Sequence, residues 1–239
     1  MNFSGKQLLC IHYYYPPIRS GGVIRNYYFS LEFAKLFDKV HIITTSNAHV
    51  MDQEKLDIPS NIEIHYAHTK DFRSIAGKQN HLAQKTKNSL VYRVFSKLKK
   101  TLPFHFYMDE GGQRYIRNAV KLGKEIIEKE AVTHLYSSFM PYADHKIASI
   151  LKENNESLKW IADFRDLQVE PIYNNVYFPE WNLKQERNML RNADMLTTIS
   201  QGLANTLNTI HHNVHSVPRG IEIRKQSLEI NDIFTITYT

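Results

Sequence analysis

The hydrophobic positions along this chain alternate between two rhythms. An uninterrupted apolar run at 8–11 has the density of a strand buried on both faces. Pro16 and Pro17 stop it, because proline has no N–H to give to a ladder. Ser20, Gly21 and Gly22 lead directly into a helical pattern, with Val23, Tyr27, Leu31, Ala34 and Phe37 on one face. Residues 40–45, dominated by β-branched side chains, predict a second strand. Ile62, Ile64 and Tyr66 then alternate with Glu63 and His65, as in a half-exposed or edge strand. The polar stretch 69–88 has little periodicity and predicts a loop or weak helix. Leu90, Val91, Val94, Phe95 and Leu98 form a helical stripe that Pro103 ends. Further helices are predicted over 113–129, 142–153, 179–192 and 201–210, with Pro141 in the first turn of the second and Ser200 capping the last. Strands are predicted at 132–136, 159–164, 195–199 and 214–217, and 233–238 alternates like one more.

Strands alternating with helices at these lengths imply an α/β fold, a Rossmann-like three-layer sandwich with a mostly parallel sheet. Such sheets bind ligands at the carboxyl ends of their strands, so those ends are where candidate chemistry is sought.

Composition narrows the picture further. The 239 residues can bury a full core, and a single cysteine, Cys10, forms no internal disulfide and reads as a small buried hydrophobe. No apolar stretch approaches a membrane span and no secretory signal pattern precedes the first strand, so cytoplasmic residence is expected. The formal charge of +6 is local: 70–100 holds nine basic residues and one acid, leaving the remainder slightly acidic. Arg93, Lys97, Lys99 and Lys100 lie off the apolar stripe of their helix and are candidates for contact with an anionic membrane surface; the alternative is a solvated face over a core-packed stripe. The basic run is poor in aromatics before Tyr92, so nucleic acid is not an expected partner.

Three clusters fall at strand ends. Gly21 and Gly22 open a helix whose bare N–H groups suit an anion, although such turns also serve simply to join elements. Residues 137–141, Ser-Ser-Phe-Met-Pro, form the second and include Ser138. The third is Asp163-Phe164-Arg165-Asp166. There an aspartate suits a general base, with Arg165 binding an acidic group; the alternative is an Asp–Arg pair that only fixes the loop. The Gly21–Gly22 turn and the acid–arginine–acid corner are expected to share one receptacle. His211, His212 and His215 lack a cysteine or carboxylate at ligand spacing and read as a surface group, so no metal is expected. Dinucleotide and Walker glycine motifs are absent.

An ordered set of segments resembles a known family. The segments are 15–25 (Tyr-Pro-Pro-Ile-Arg-Ser-Gly-Gly-Val-Ile-Arg), 40–45, 160–166, Glu186-Arg187, 193–200 and 217–222. Together they resemble the N-terminal domain of GT-B retaining glycosyltransferases of the family 4 type, which build bacterial lipopolysaccharide, capsule and related polysaccharides. The resemblance implies half of a GT-B fold, with 1–222 as an acceptor-side domain. Residues 223–239 would then be a linker and the first strand of a missing C-terminal domain. It implies a transferase of the EC 2.4 class, inactive as this half alone. Catalytic Asp163 or Asp166 would work with Gly21, Gly22, Arg25, Arg165 and Ser138 at the substrate. The acceptor would be a glycan or lipid-linked molecule at the inner face of the membrane. The nucleotide-diphosphate sugar would be held mostly by the other domain, with no cofactor on this half and no metal. Three departures stand out: Arg219 replaces the usual asparagine, Leu167-Gln168 replace a Pro-Trp pair, and 137–141 lacks the histidine some relatives carry. A non-catalytic Rossmann-like module holding a sugar or phosphate is the rival reading.

Overall fold

The structure is a computed structural model and describes residues 3–19, 21–46, 56–69, 90–108, 111–170 and 175–218. The predicted elements at 69–88 (beyond residue 69) and 233–238, and the proposed boundary at 222, lie outside the described residues.

Strand β1 (Phe3–Ile11) is followed by helix α1 (Gly21–Leu36), β2 (Phe37–Thr45) and β3 (Ile62–Ala67). Helices α2 (Leu90–Lys100), α3 (His105–Met108) and α4 (Gln113–Lys129) come next. The remainder alternates strictly: β4 (Val132–Ser138), α5 (Ala143–Asn154), β5 (Lys159–Phe164), α6 (Pro179–Leu190), β6 (Met195–Thr198), α7 (Gln201–Leu207) and β7 (Val214–Ser216). Seven strands form one sheet in the order β3-β2-β1-β4-β5-β6-β7, and every pairing is parallel. The chain thus winds outward from β1 in one direction and from β4 in the other, which makes the β1/β4 boundary the topological switch point.

Burial explains the apolar runs. Along β1, Leu9 and Ile11 enter the larger core with Tyr115, Ile116, Ile147 and Leu151 of α4 and α5, while Leu8 and Cys10 enter the smaller one under Phe29 and Phe33 of α1. Helices therefore cover both faces, and both faces of the central strands must be apolar. The buried Cys10 thiol has its pKa pushed up by desolvation. Strand β3 is an edge of the sheet, one of the two readings the alternation allowed, but Tyr66, which the pattern groups with Ile62 and Ile64, is exposed.

Two connections fix the strand ends. The carboxylate of Asp144, in the first turn of α5, accepts the Tyr13 N–H at 2.8 Å and the Tyr115 hydroxyl at 3.1 Å, tying the end of β1 to α4 and α5. Asp194 accepts the Trp160 N–H at 2.8 Å and Lys152 Nζ at 3.1 Å, clasping the start of β5 to the end of α5.

Candidate functional site

Four strand ends and one helix start meet beside the switch point. Helix α1 begins at Gly21, and the first N–H groups of a helix have no partner within it. The Arg165 guanidinium, just past β5, lies directly over Gly22: a Cβ built there would fall 2.0 Å from Arg165 Nη1 and 2.9 Å from Cζ. A hydrogen is the only side chain that this approach allows without moving the arginine. Arg165 is held in place from the β4–α5 loop, donating from Nε to the Phe139 carbonyl at 2.7 Å. Burial lowers its pKa, while Asp163 and Asp166 pull it upward; an arginine stays charged in either case.

Behind it sits a closed polar pair. Arg25, one turn into α1, makes a two-pronged contact with Asp163, Nε to Oδ2 at 3.0 Å and Nη2 to Oδ1 at 2.9 Å. Thr197 on β6 donates its hydroxyl to Oδ1 at 2.7 Å. Asp163 is fully buried, Arg25 nearly so, and the guanidinium also rests on the Phe29 ring at 4.3 Å. Desolvation works against the Arg25 charge, but the Asp163 bond and field outweigh it and hold its pKa up. The alternative in which the aspartate and an arginine fix local structure therefore describes Asp163, with Arg25 rather than Arg165 as the partner. A general base needs a free lone pair facing a substrate proton; Asp163 spends its oxygens on Arg25 and Thr197. Asp166 is exposed.

Ser138 stands beside Asp163 in the β4–β5 register and is buried, its hydroxyl without a hydrogen-bond partner among the described residues. Spacing along the chain did not single out His12. It follows β1 directly and is fully buried, with neither ring nitrogen hydrogen-bonded among the described residues. It stacks on Tyr15 at 6.0 Å and meets Tyr136 edge-on at 5.5 Å. Burial, and then the Arg165 charge, lower its pKa to about 3, so the imidazole is neutral. A lone histidine carries no pattern; only the strand-end rule marks the position.

Other candidates fall elsewhere. Lys97 caps the Tyr177 ring at 4.8 Å, and Lys100 is exposed at the end of α2. The side chain of Arg93 lies outside the described residues. Alongside α2 is an apolar pocket of about 460 Å³, lined by Leu98, Leu102, Phe104, Tyr177, Phe178 and Trp181 among others. Among the described residues no helix is long and apolar enough to cross a membrane. The expected surface group of histidines is corrected in part. His211 is buried, its Nε2 3.1 Å from the Ala193 carbonyl, because α7 ends at Leu207 and the chain turns inward.

No model of a known family matches the chain, and no curated protein matches it. Solved structures similar to it include Phytolacca americana UGT2 complexed with UDP-2fluoro-glucose and pterostilbene (TM-score 0.48, 10% identity, 93% of this chain and 56% of that one). Another is a UDP-glucose: anthocyanidin 3-O-glucosyltransferase in complex with UDP (TM-score 0.49, 13% identity, 90% and 53%). A third is the Candida albicans trehalose-6-phosphate phosphatase N-terminal domain (TM-score 0.47, 12% identity, 92% and 51%). The chain spans about half the length of each of these.

Proposed function

We propose that this chain is the acceptor-side domain of a nucleotide-sugar-dependent glycosyltransferase of the retaining, family 4-like GT-B type, acting in bacterial polysaccharide or lipopolysaccharide assembly. The ordered motifs support the family reading. The observation that carries the site is the Arg165 guanidinium lying over Gly22 at the first turn of α1. A fixed cation beside the start of a helix suits the diphosphate of a donor or the charge on a departing nucleotide. In this reading Arg165 and the α1 start face the reacting centre. Arg25 and Asp163 brace α1 against β5, and Asp166 is the carboxylate left to meet an acceptor hydroxyl. A second domain supplies most donor contacts.

The test is transfer of labelled sugar from a nucleotide donor by the 239-residue chain and by the product of its reading frame extended past Thr239. Activity is expected only in the extended product, with Arg165→Met lowering kcat/KM at least about 100-fold. Transfer at full rate by the 239 residues overturns the half-enzyme assignment. An unchanged Arg165→Met rate overturns the placement of the site.

The apolar pocket beside α2 favours one addition: a lipid-linked acceptor presented at an anionic bilayer on the inner face of the membrane. Lys99 and Lys100 are in the last turn of α2, and Phe104, Phe178 and Trp181, which line the pocket, are exposed. Basic residues near such a surface contribute about 1 kcal/mol each. Co-sedimentation with phosphatidylglycerol vesicles at low salt is expected, and a chain left wholly in the supernatant removes the idea.

A further inference from the structure

Away from the switch point, on strands β2 and β3 at the edge of the sheet, three metal-competent side chains meet. In the parallel register His41 of β2 is opposite Glu63 of β3, and Ile43 is opposite His65. Paired residues share a face, and so do residues two apart on a strand, so His41, Glu63 and His65 all project to the face that carries α4 and α5. Their ligand atoms lie within 4.8 Å of one another. His41 Nδ1 is 3.2 Å from His65 Nε2; Glu63 Oε2 is 3.8 Å from the first of these nitrogens and Oε1 is 3.8 Å from the second.

Those separations fit a coordination sphere. Two nitrogens each about 2.0–2.1 Å from a tetrahedral zinc stand about 3.3 Å apart. The two ring nitrogens already sit at that spacing, and each has one Glu63 oxygen 3.8 Å away. The surroundings also orient the nearest ligand. The Gln7 amide is set by its Nε2 donating to Glu130 Oε2 at 3.2 Å, so its Oε1 accepts from His41 Nε2 at 2.7 Å. His41 Nε2 therefore carries the hydrogen and Nδ1 presents a lone pair to the site, as in metal-binding histidines whose other ring nitrogen donates to a nearby oxygen. Lys39 Nζ is 2.6 Å from Glu63 Oε2 and 3.4 Å from Glu130 Oε1. It steadies one Glu63 oxygen and leaves the other toward His65. The two carboxylates and one ammonium leave the locality at about one net negative charge. His41 is buried, His65 partly exposed and Glu63 half exposed, so an ion has a route from solvent.

We propose that His41, Glu63 and His65 form a divalent transition-metal site, with zinc the ion its two imidazoles and one carboxylate favour and a water completing the tetrahedron. Its place between β2 and the edge strand β3 makes it a clasp on the sheet rather than part of the crevice chemistry. Lys39 is the built-in competitor: its charge weakens the site relative to a closed four-ligand cage. Without an ion, His65 Nε2 donates to His41 Nδ1; on binding, that hydrogen moves to His65 Nδ1 and Nε2 takes the metal.

Titration of chelator-treated, tag-free protein with zinc chloride by calorimetry is the direct test, with cobalt(II) as the spectroscopic probe. Zinc is expected to bind one per chain with a Kd of about 10 μM or tighter, and cobalt to give the intense visible bands of a tetrahedral N/O site. The melting temperature should rise by several degrees at saturating zinc. His65→Ala, at a partly exposed position, is expected to weaken binding at least about tenfold, and Glu63→Gln likewise. His215→Ala, at an exposed histidine elsewhere, should leave it unchanged. No one-to-one binding tighter than about 100 μM, or a His65→Ala protein that binds as the wild type does, overturns the site.

Discussion

Asp163 and Arg25 are 138 positions apart, yet their contact sets what each can do. Both are buried, so removing either one strands the other's charge in a poorly solvated place, at a cost of about 3–5 kcal/mol. Asp163→Asn should therefore lower unfolding free energy by that order in urea titrations. The double variant Arg25→Met/Asp163→Asn should recover part of the loss. A catalytic base without structural duty would instead leave stability unchanged and strike kcat alone. Gly22→Ala separates the neighbouring role in the opposite way. Alanine favours helix, but its Cβ must push the Arg165 guanidinium aside. Stability is expected to change by less than about 1 kcal/mol, while kcat/KM of the complete transferase falls at least about tenfold; a melting curve and a steady-state assay on one preparation decide it. Motif spacing was enough to point at Gly22, Arg165 and the two aspartates. It could not show which arginine pairs with Asp163, because that depends on how α1 crosses β5. Nor could it show His41 meeting His65, which needs the β2–β3 register.

At the scale of elements, most of the order was legible because parallel strands buried on both faces read as continuous apolar runs. Strand β1 is the instructive exception, reaching back to Phe3 although its apolar run begins at Leu8. Between them the β1–β2 register shifts, Gly5 takes a φ of +76°, and its N–H bonds Asp38 at 2.7 Å. A bulge of this kind breaks periodicity without ending the strand. Helices α6 and α7 stop before their predicted ends, because the sequence near 191 and 208 stays compatible with helix while the β6 and β7 connections turn away. Asp194 belongs to this scale. Burial works to raise its pKa, but the Trp160 N–H and Lys152 outweigh burial and leave it depressed. Its contribution is thus present above the ordinary carboxylate range and is lost as pH falls through the depressed value. Asp194→Asn should weaken the protein by about 1–2 kcal/mol at pH 7. The difference should shrink in acid, as chemical denaturation at pH 7 and pH 3 would show.

For the molecule as a whole, the buried titratable groups set how stability follows pH, and two of them pull in opposite directions. His145 on α5 is enclosed by Phe139, Tyr142 and Phe164, with Ser137 Oγ on its Nδ1 at 2.8 Å. Burial alone lowers its pKa to about 3. Between that value and the ordinary 6.5 the unfolded chain takes up a proton that the folded one refuses, so stability falls on acidification by about 1.4 kcal/mol per pH unit, or about 2 kcal/mol by pH 5. Glu186 on α6 is also buried, and desolvation raises its carboxyl to about 7. Here the folded chain keeps a proton that the unfolded one releases above its ordinary value near 4.5, so stability falls as pH rises, by about 3 kcal/mol at pH 7. The two slopes oppose each other between roughly pH 4.5 and 6.5, and single substitutions should uncover each. His145→Asn keeps a polar partner for Ser137 and should flatten the acid loss. Glu186→Gln should steepen the rise of stability with pH and leave the protein more stable than its parent at pH 7. Urea midpoints from pH 4.5 to 7 measure both. Parallel curves for parent and variants would mean that neither group is held neutral by the fold, and that helices α5 and α6 admit water where the packing closes them.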